Sequence, residues 1–529
     1  MNNILTIEKL DKILNDRIKN DTFTTLKSIP TPDMFKDMDK ATKRIVRAIK
    51  DDETINLVGD YDVDGVVSTA IIVNFFAALG VEINYIIPNR FEHGYGLSPK
   101  IMDLIYDGLI ITVDNGISAN EAANIAQERG LDLIITDHHT VPSILPNAYA
   151  IIDPKQDDCH FPFDEICGAQ VAWYLCASIK KELKFDYNLM QLFDILSLAI
   201  VADIMPMVSL NQTMVKAGLK ALQSSQRPAI LALKKRYNLN KFTEEDIGFK
   251  IAPLINCAGR MSDPSIALEF LLSFDIYEAD TQLDYLIELN EQRKQDQLQI
   301  FTESKIQVDE SDQVIIVASE NWNEGIIGIV ASKLCEKYKK PAFVFTINGD
   351  IAKASSRSTS SVDLYTLIES CKDLLLGFGG HKQAAGMSLK TENLELFKTT
   401  INQNINNLQK EPEDKSSYAI GAYNISTIDE TVYNLIESYR PFGQNNPYPI
   451  FSFIDVEILS ISKMGKSKEF TKLVVVQDGA SIEVVIFTDF EDVKIGDIIS
   501  FTATIAKNEF RGDIKYNLMF KEILNLTNI

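Results

Sequence analysis

Three short apolar runs in the first third of the chain each end abruptly on acidic residues. Thr54–Gly59 runs into Asp60, Asp62 and Asp64; Leu109–Val113 runs into Asp114-Asn115-Gly116; Leu133–Thr136 runs into Asp137-His138-His139. Between the runs lie segments that read as helices, Val66–Leu79 closed by Gly80 and Ala119–Arg129 closed by Gly130. Ile83–Pro88 and Ala148–Ile152 read as further strands, the second ending at Asp153-Pro154. Apolar strands alternating with helices specify a parallel sheet covered on both faces. Ligands bind such open sheets at the C-terminal strand edge. The acidic and histidine residues, though far apart in the chain, are therefore expected to converge there.

Crowding of this kind has a chemical consequence. Asp60, Asp62 and Asp64 repel one another unless a cation lies between them. The spacing also matches the opening of an EF-hand calcium loop. That reading fails because the twelfth position is Ile71, where a bidentate Glu is needed, and because the flanks are strand and helix. A structural acidic turn is the bland alternative, and the acidic ends of the other strands weigh against it. Of the five histidines, His138 and His139 are adjacent at the mouth of a buried strand, whereas His93 and His160 read as surface or loop residues. Carboxylate oxygens with one imidazole favour Mn²⁺ or Mg²⁺ over zinc. Several shared carboxylates suit two cations about 3.5–4 Å apart, the arrangement for phosphoryl hydrolysis.

The remaining chain divides by pattern. Residues 1–50 read as polar and helical, with a break at Ile29-Pro30-Thr31-Pro32. Leu189–Val201 is an apolar helix ending at Asp203, which is either a cap partner or a further ligand. Ile251–Asp263 (IAPLINCAGRMSD) reads as a loop carrying Arg260, a candidate for the scissile phosphate. Tyr277–Val308 is expected to be one long helix, polar all round in its middle like a solvent-bridging connector. A second α/β unit follows, with Ser356-Arg357-Ser358 after a strand and the Gly-rich GFGGHKQAAG holding Gly379, Gly380 and His381. A turn feeding a packed strand competes there with a phosphate clamp, and Arg357 beside His381 favours the clamp. The acidic stretch 409–417 reads as a linker. Five short strands in the tail suggest a small barrel of the OB type, with Lys463, Lys466, Lys468 and Lys472 on one hairpin.

Composition excludes little but is consistent with this reading. The chain of 529 residues is 46% hydrophobic and 24% charged, as multidomain globular proteins are. It has no apolar run of about 18 residues, so no membrane span is expected, and MNNILTIEKLDKIL lacks the apolar core of a signal peptide. Six cysteines form no CxxC pair, consistent with reduced, mostly buried thiols in the cytoplasm. A net charge of −22 weighs against nucleic-acid binding by the overall field, although a local basic channel inside an acidic shell escapes that argument.

GDYDVDGVVSTA, PNRFEHGYGLS, ITVDNGISA, ITDHH, AIVADIMPMV, INCAGRMSD, GIIGIVASKL and FGGHKQAAGMSL, in this order over roughly residues 40–460, together resemble the RecJ exonucleases of the DHH phosphoesterase superfamily. The resemblance implies an α/β multidomain protein: a parallel-sheet DHH domain with an N-terminal helical segment (1–265), a long connecting helix (266–308), an α/β DHHA1 domain (309–408), and a linker with a C-terminal OB-like β-barrel (409–529). It implies 5′→3′ exonuclease action on single-stranded DNA by two-metal phosphodiester hydrolysis with Mn²⁺ or Mg²⁺, releasing 5′-mononucleotides in recombination and repair. Carried onto this chain, the metal ligands fall on Asp62, Asp64, Asp114, His138 and Asp203, with Asp60 a supporting or direct ligand. His139 and Asp137 take catalytic roles, and Arg260, Ser356, Arg357, Gly379, Gly380 and His381 hold DNA phosphates. Asn323 stands where relatives usually carry His after Trp. A cytoplasmic monomer is implied, with single-stranded DNA as partner and a RecQ-type helicase and single-strand-binding protein as possible associates. The competing readings are a phosphodiesterase for short oligoribonucleotides or cyclic dinucleotides, and a non-catalytic DNA-binding scaffold. The first is disfavoured by the OB-like tail and the second by the complete set of acidic and histidine residues.

Overall fold

In the computed structural model, the described residues are 4–359, 361–408, 419–465, 468, 470–487, 490, 493–510 and 513–527. The expected linker 409–417 and Lys466 lie outside them. The chain forms two compact units, one of residues 31–203 with 218–414, the other of residues 1–30, 204–217 and 415–529.

The larger unit opens with the expected parallel sheet. Its strands are β1 (Ile55–Val58), β2 (Asn84–Ile86), β3 (Leu109–Val113), β4 (Leu133–Thr136) and β5 (Ala150–Ile152), in the order β2-β1-β3-β4-β5, all parallel. β1, β3, β4 and β5 are buried at every residue, which explains why they read as unbroken apolar runs. The chain leaves β1 toward β2 on one side and returns to β3 on the other. The crevice of such a sheet opens at that reversal, so the ends of β1 and β3 flank it.

The helix Val63–Leu79 follows β1 and is apolar round most of its circumference. It packs against the helices Gly168–Leu183, Phe193–Ala202 and Ser265–Leu272, which bury it from Val63 to Ile72. It stops at Gly80, whose φ of 74° is a left-handed C-terminal turn.

Three sequence readings need correction here. Ile251–Asp263 is not a loop: Ala252–Met261 is a helix. Its Pro lies in the first turn, where no N–H is needed. Gly259 serves close packing, since a Cβ there would come within 2.5 Å of the Tyr61 carbonyl oxygen. Likewise the stretch 266–308 is two helices, Ser265–Leu272 and Ile276–Gln307. The middle of the second is not a solvated connector. Asn290 and Gln297 are buried, and Arg293 donates to Asn290 Oδ1 at 3.0 Å and to Gln297 Oε1 at 2.8 Å. Polar residues that satisfy one another along the helix allow that face to pack on Ala252–Met261.

The second sheet contains β6 (Ile315–Ser319), β7 (Ala342–Asn348), β8 (Ile351–Arg357), β9 (Leu375–Gly380) and β10 (Ala384–Lys390), in the order β6-β7-β8-β10-β9. Only β6 and β7 run parallel. The helix Glu324–Tyr338 covers β7 and β8 on one face. Phe343, Phe345 and Phe397 fill the core on the other. The Gly-rich stretch is a hairpin, β9 turning into β10.

The smaller unit is a closed five-stranded barrel, β11 (Phe451–Met464), β12 (Phe470–Gln477), β13 (Ala480–Ile486), β14 (Ile498–Phe510) and β15 (Asp513–Thr527), closed in the order β11-β12-β13-β15-β14. The N-terminal helix Ile7–Ile18 belongs to this unit rather than with residues 31–265. Leu10 and Leu14 are fully buried in the cluster that holds Ile436, Phe442 and Phe453, and Leu5 N donates to Ala422 O at 2.8 Å. Leu14→Ala is therefore expected to destabilise the barrel unit by about 2–5 kcal/mol, read as a lower calorimetric transition for that unit with the transition of the larger unit in place.

Candidate metal centre

The ends of β1, β3 and β4 deliver the expected residues to one place, and each is set by backbone geometry. Asp62 caps the helix Val63–Leu79, its Oδ1 accepting from Asp64 N at 2.9 Å and Gly65 N at 3.1 Å. Asp64, inside the first turn, accepts from Gly168 N at 2.6 Å and Ala169 N at 2.8 Å, the start of the helix Gly168–Leu183. Asp114 adopts a left-handed φ of 61° at the end of β3, an uncommon backbone state for a residue with a side chain. Asn115 locks the turn by donating from Nδ2 to the carbonyls of Val58, Gly59 and Val113 at 3.1, 3.0 and 2.9 Å. Its Oδ1 accepts from Leu97 N at 2.9 Å. Asp203 comes from farther along, at the C-terminal cap of Phe193–Ala202.

These residues form two adjoining ligand sets. Asp60, Asp62 and Asp114 make one and Asp64, His138 and Asp203 the other, while Asp114, His138 and His139 form a third, overlapping group; within each, the ligand atoms lie within 4.8 Å of one another. His138 Nε2 lies 3.2 Å from Asp114 Oδ1, 3.6 Å from Asp64 Oδ2 and 3.7 Å from Asp203 Oδ2. Asp60 Oδ1, Asp114 Oδ1 and Asp203 Oδ2 are buried without hydrogen-bond partners. Unpaired buried carboxylate oxygens are costly. Burial, reinforced by neighbouring carboxylates, pushes Asp60 and Asp114 well above the usual carboxylate range. The same causes push Asp203 up to about 8. Burial holds the His138 imidazole below its ordinary value. A neutral imidazole facing oxygens that lack donors fits divalent cations of the Mn²⁺ or Mg²⁺ type.

His139 is built differently. Burial works against its charge, but its Nδ1 lies 2.7 Å from Asp137 Oδ1, and that bond raises it to about 9. Asp137 is itself fixed by three backbone donors, Ile117 N to Oδ2 at 2.8 Å, His138 N to Oδ1 at 2.8 Å and His139 N to Oδ1 at 3.2 Å. Although burial opposes it, the contact with His139 holds Asp137 below its usual value. The Nε2 of His139 lies within hydrogen-bond reach of the Tyr95 hydroxyl, at 3.5 Å.

Cationic groups border the acidic centre. A pocket of about 200 Å³ is lined by Asp60, Asp62, His139, Arg90 and Arg260, among others. Arg260 donates to Gly325 O at 3.2 Å; burial first, then the nearby Arg90, lowers its pKa to about 10. Arg90 stacks 4.4 Å above the Tyr61 ring and donates to its hydroxyl at 3.0 Å. Arg90, Tyr61 and Tyr95 were not singled out from sequence. Arg90 and Tyr95 lie in PNRFEHGYGLS and Tyr61 in GDYDVDGVVSTA, but an isolated Arg or Tyr in a loop carries no periodicity.

A second cleft of about 450 Å³ joins Tyr61, Arg90 and Tyr95 to Lys353, Ser355, Gly377, Gly379 and Ser388 of the second sheet. Ser356, expected to bind phosphate, is fully buried and donates to Ala385 O at 2.8 Å. It faces the core, and Ser355 occupies the cleft face in its place. Arg357 lies on the same face as Ser355, its Nη1 donating to Ser356 O at 2.8 Å and to Ser355 Oγ at 3.3 Å. Gly379 leaves open space beside the cleft, whereas Gly380 has φ of 142° and a Cβ there would meet Ala384 O at 2.5 Å. Gly380 thus serves the hairpin. His381 is exposed and lines a third cavity together with His139. Asn323 caps the helix Glu324–Tyr338 by accepting from Gly325 N at 2.8 Å. His93 accepts from Asn89 N at 3.1 Å, a turn contact.

Residues 54–200 match the DHH family, N-terminal domain; residues 311–407 match the DHHA1 domain; residues 421–522 match the RecJ OB domain. A Haemophilus influenzae protein described as single-stranded-DNA-specific exonuclease RecJ is 30% identical over 530 residues, covering 94% of this chain and 92% of the relative. The chain belongs to the RecJ family. The Bacillus subtilis RecJ is 33% identical over 509 residues, and this chain spans 64% of its length. Among solved structures, RecJ from Thermus thermophilus with Mn²⁺ superposes with a TM-score of 0.82 at 24% identity, covering 97% of this chain and 74% of that one. An exonuclease RecJ bound to manganese is 28% identical with a TM-score of 0.64, covering 73% of this chain and 97% of that one. Family membership agrees with the architecture expected from sequence.

The site makes two measurable demands. Mn²⁺ at a hundredfold excess over its dissociation constant is expected to stabilise the folded chain by about 2.7 kcal/mol, seen as a rise in melting temperature that Asp114→Asn reduces. Gly168→Ala places a Cβ within 2.6 Å of Asp114 and strains the backbone that holds Asp64. It is expected to weaken Mn²⁺ binding about 10–100-fold by calorimetric titration, as losses behind the ligands do, with helix content unchanged.

Proposed function

We propose that this RecJ-family chain is a nuclease that degrades single-stranded DNA from its 5′ end and releases 5′-mononucleotides, in DNA recombination and repair. The observation that carries the reading is the double ligand set with unpaired buried oxygens, bordered by two guanidinium groups. Asp60, Asp62, Asp64, Asp114, His138 and Asp203 would hold a pair of divalent cations. Bound there, the cations would supply Lewis-acid neutralisation of charge developing on the scissile phosphate.

The chain's own groups do the rest. Arg260 and Arg90 hold and orient the phosphate, each presenting a planar fork of donors. Asp137 fixes His139 with its protonated Nε2 toward the centre. As water attacks phosphorus and the bond to the 3′-oxygen breaks, His139 gives its Nε2 proton to that leaving oxygen. Ser355 and Lys353 in the second cleft, with Arg357 behind Ser355, take the terminal 5′-phosphate, which sets the polarity of the reaction. The barrel is of a type that binds single strands.

On the same reading the protein works as a cytoplasmic monomer, with single strands supplied by a RecQ-type helicase and a single-strand-binding protein. Among the described residues, no helix is long and apolar enough to cross a membrane.

The test uses Mn²⁺ and 5′-phosphorylated DNA, single-stranded or blunt duplex, labelled at either end, with products sized. Mononucleotides released from the 5′ end of single strands are expected. His139→Ala should lower kcat about 10²–10⁴-fold with Mn²⁺ binding retained, whereas His138→Ala should lose both. Undiminished degradation by His138→Ala would sink the proposal.

A further inference from the structure

Arg260 borders the acidic pocket, yet little holds its head. Among the described residues its guanidinium makes no ion pair, and its side-chain hydrogen bond is the one to Gly325 O at 3.2 Å. Burial and the nearby Arg90 both work against its charge. A buried cation without a carboxylate partner depends on the neutral dipoles around it. The Gly325 peptide therefore decides where this guanidinium stands when a phosphate arrives. Gly325 also packs too closely on the Arg260 backbone for any side chain to intervene.

We infer that Asn323 is a positioning residue for Arg260, its side-chain amide setting the Gly325 peptide that aims the guanidinium at the scissile phosphate; the inference rests on the nuclease reading above. Asn323 Oδ1 accepts from Gly325 N at 2.8 Å, and the carbonyl of that same residue receives Arg260 Nη1. Asn323 Nδ2 reaches Met261 Sδ, on the residue after Arg260, at 3.9 Å. One amide thus touches both helices that meet at the guanidinium. An amide suits the place, because it accepts on one side and donates on the other without adding charge beside Arg90 and Arg260. The main chain here is held independently of that amide. Trp322 Nε1 donates to Glu303 Oε2 at 2.7 Å, Thr346 Oγ1 donates to Trp322 O at 2.6 Å, and Asn323 O accepts from Ile326 N at 3.0 Å and Ile327 N at 3.2 Å. Replacing the side chain therefore leaves the loop in place and alters the aim of Arg260.

The test has a kinetic arm and a spectroscopic arm. With Mn²⁺ and 5′-phosphorylated single strands, Asn323→Ala is expected to lower kcat/KM about 10–100-fold, as small misplacements of a substrate-holding group do. Asn323→Ser keeps an acceptor for Gly325 N and is expected to recover most of that loss; a serine variant as impaired as the alanine variant overturns the inference. A residue that acts through Arg260 has nothing left to act on once Arg260 is gone, so in an Arg260→Ala background Asn323→Ala is expected to cost nothing further. The same fold-loss in both backgrounds overturns the inference. The second arm needs no turnover. In protein labelled with ¹⁵N-arginine and free of Mn²⁺, the Arg260 Nε–H resonance, assigned by its loss in Arg260→Lys, is expected to shift in Asn323→Ala and to return to the wild-type position in Asn323→Ser. A resonance unmoved in Asn323→Ala overturns the inference. If wild type leaves ordinary single strands intact, the nuclease reading falls by itself, and the resonance still decides whether Asn323 places Arg260.

Discussion

Electrostatic repulsion among buried carboxylates is the constraint to which the rest of this molecule answers. Asp60, Asp64 and Asp114 are each almost fully buried, and Asp203 faces them. Isolated charges of one sign in such a place are untenable without compensation. Part of the compensation is built in: the amides of Gly168 and Ala169 hold Asp64, and the first turn of Val63–Leu79 holds Asp62. The remaining oxygens are left open, and that is where cations belong. A site designed only for stability would have paired them with arginine. Arg90 and Arg260 are instead set at the border, where they can meet a substrate phosphate.

The scaffold translates this constraint into geometry. A parallel sheet offers its C-terminal edge, and the reversal between β1 and β3 opens a crevice there. Asn115 joins the ends of both strands to the loop before Leu97. Ligands and the overlying Tyr95 therefore share one rigid knot. Such preorganisation matters because catalytic gain depends on positions held before the substrate arrives.

Much of this was legible in the sequence because it follows local rules. Buried parallel strands must be apolar, so a carboxylate directly after one stands out, and the convergence of the three strand ends follows from sheet topology. Ser356 failed for an equally physical reason. Alternate residues of a strand face opposite ways, so a displacement of one residue exchanges core for cleft; Ser355 has the orientation expected of its neighbour. The helix Ala252–Met261 was hidden because its Gly and Pro read as breakers, although one packs against Tyr61 and the other lies in the first turn. Arg90 and Tyr95 act through tertiary placement alone. The docking of Ile7–Ile18 on the barrel joins segments over 400 residues apart, as the contact of the Tyr439 hydroxyl with Asp11 O, 428 residues away, illustrates. No local pattern records that pairing.

One contact bears on where Arg260 stands. Gly325, at the start of the helix Glu324–Tyr338, lies so close to Ala252–Met261 that a Cβ would come within 2.2 Å of the Arg260 carbonyl oxygen. The Arg260 guanidinium closes the same contact from the other side by donating to Gly325 O. Backbone thus meets backbone where these two helices join, and the Arg260 side chain braces the contact. A bulkier residue at Gly325 would therefore displace Arg260, and with it the border of the acidic centre, through direct main-chain contact.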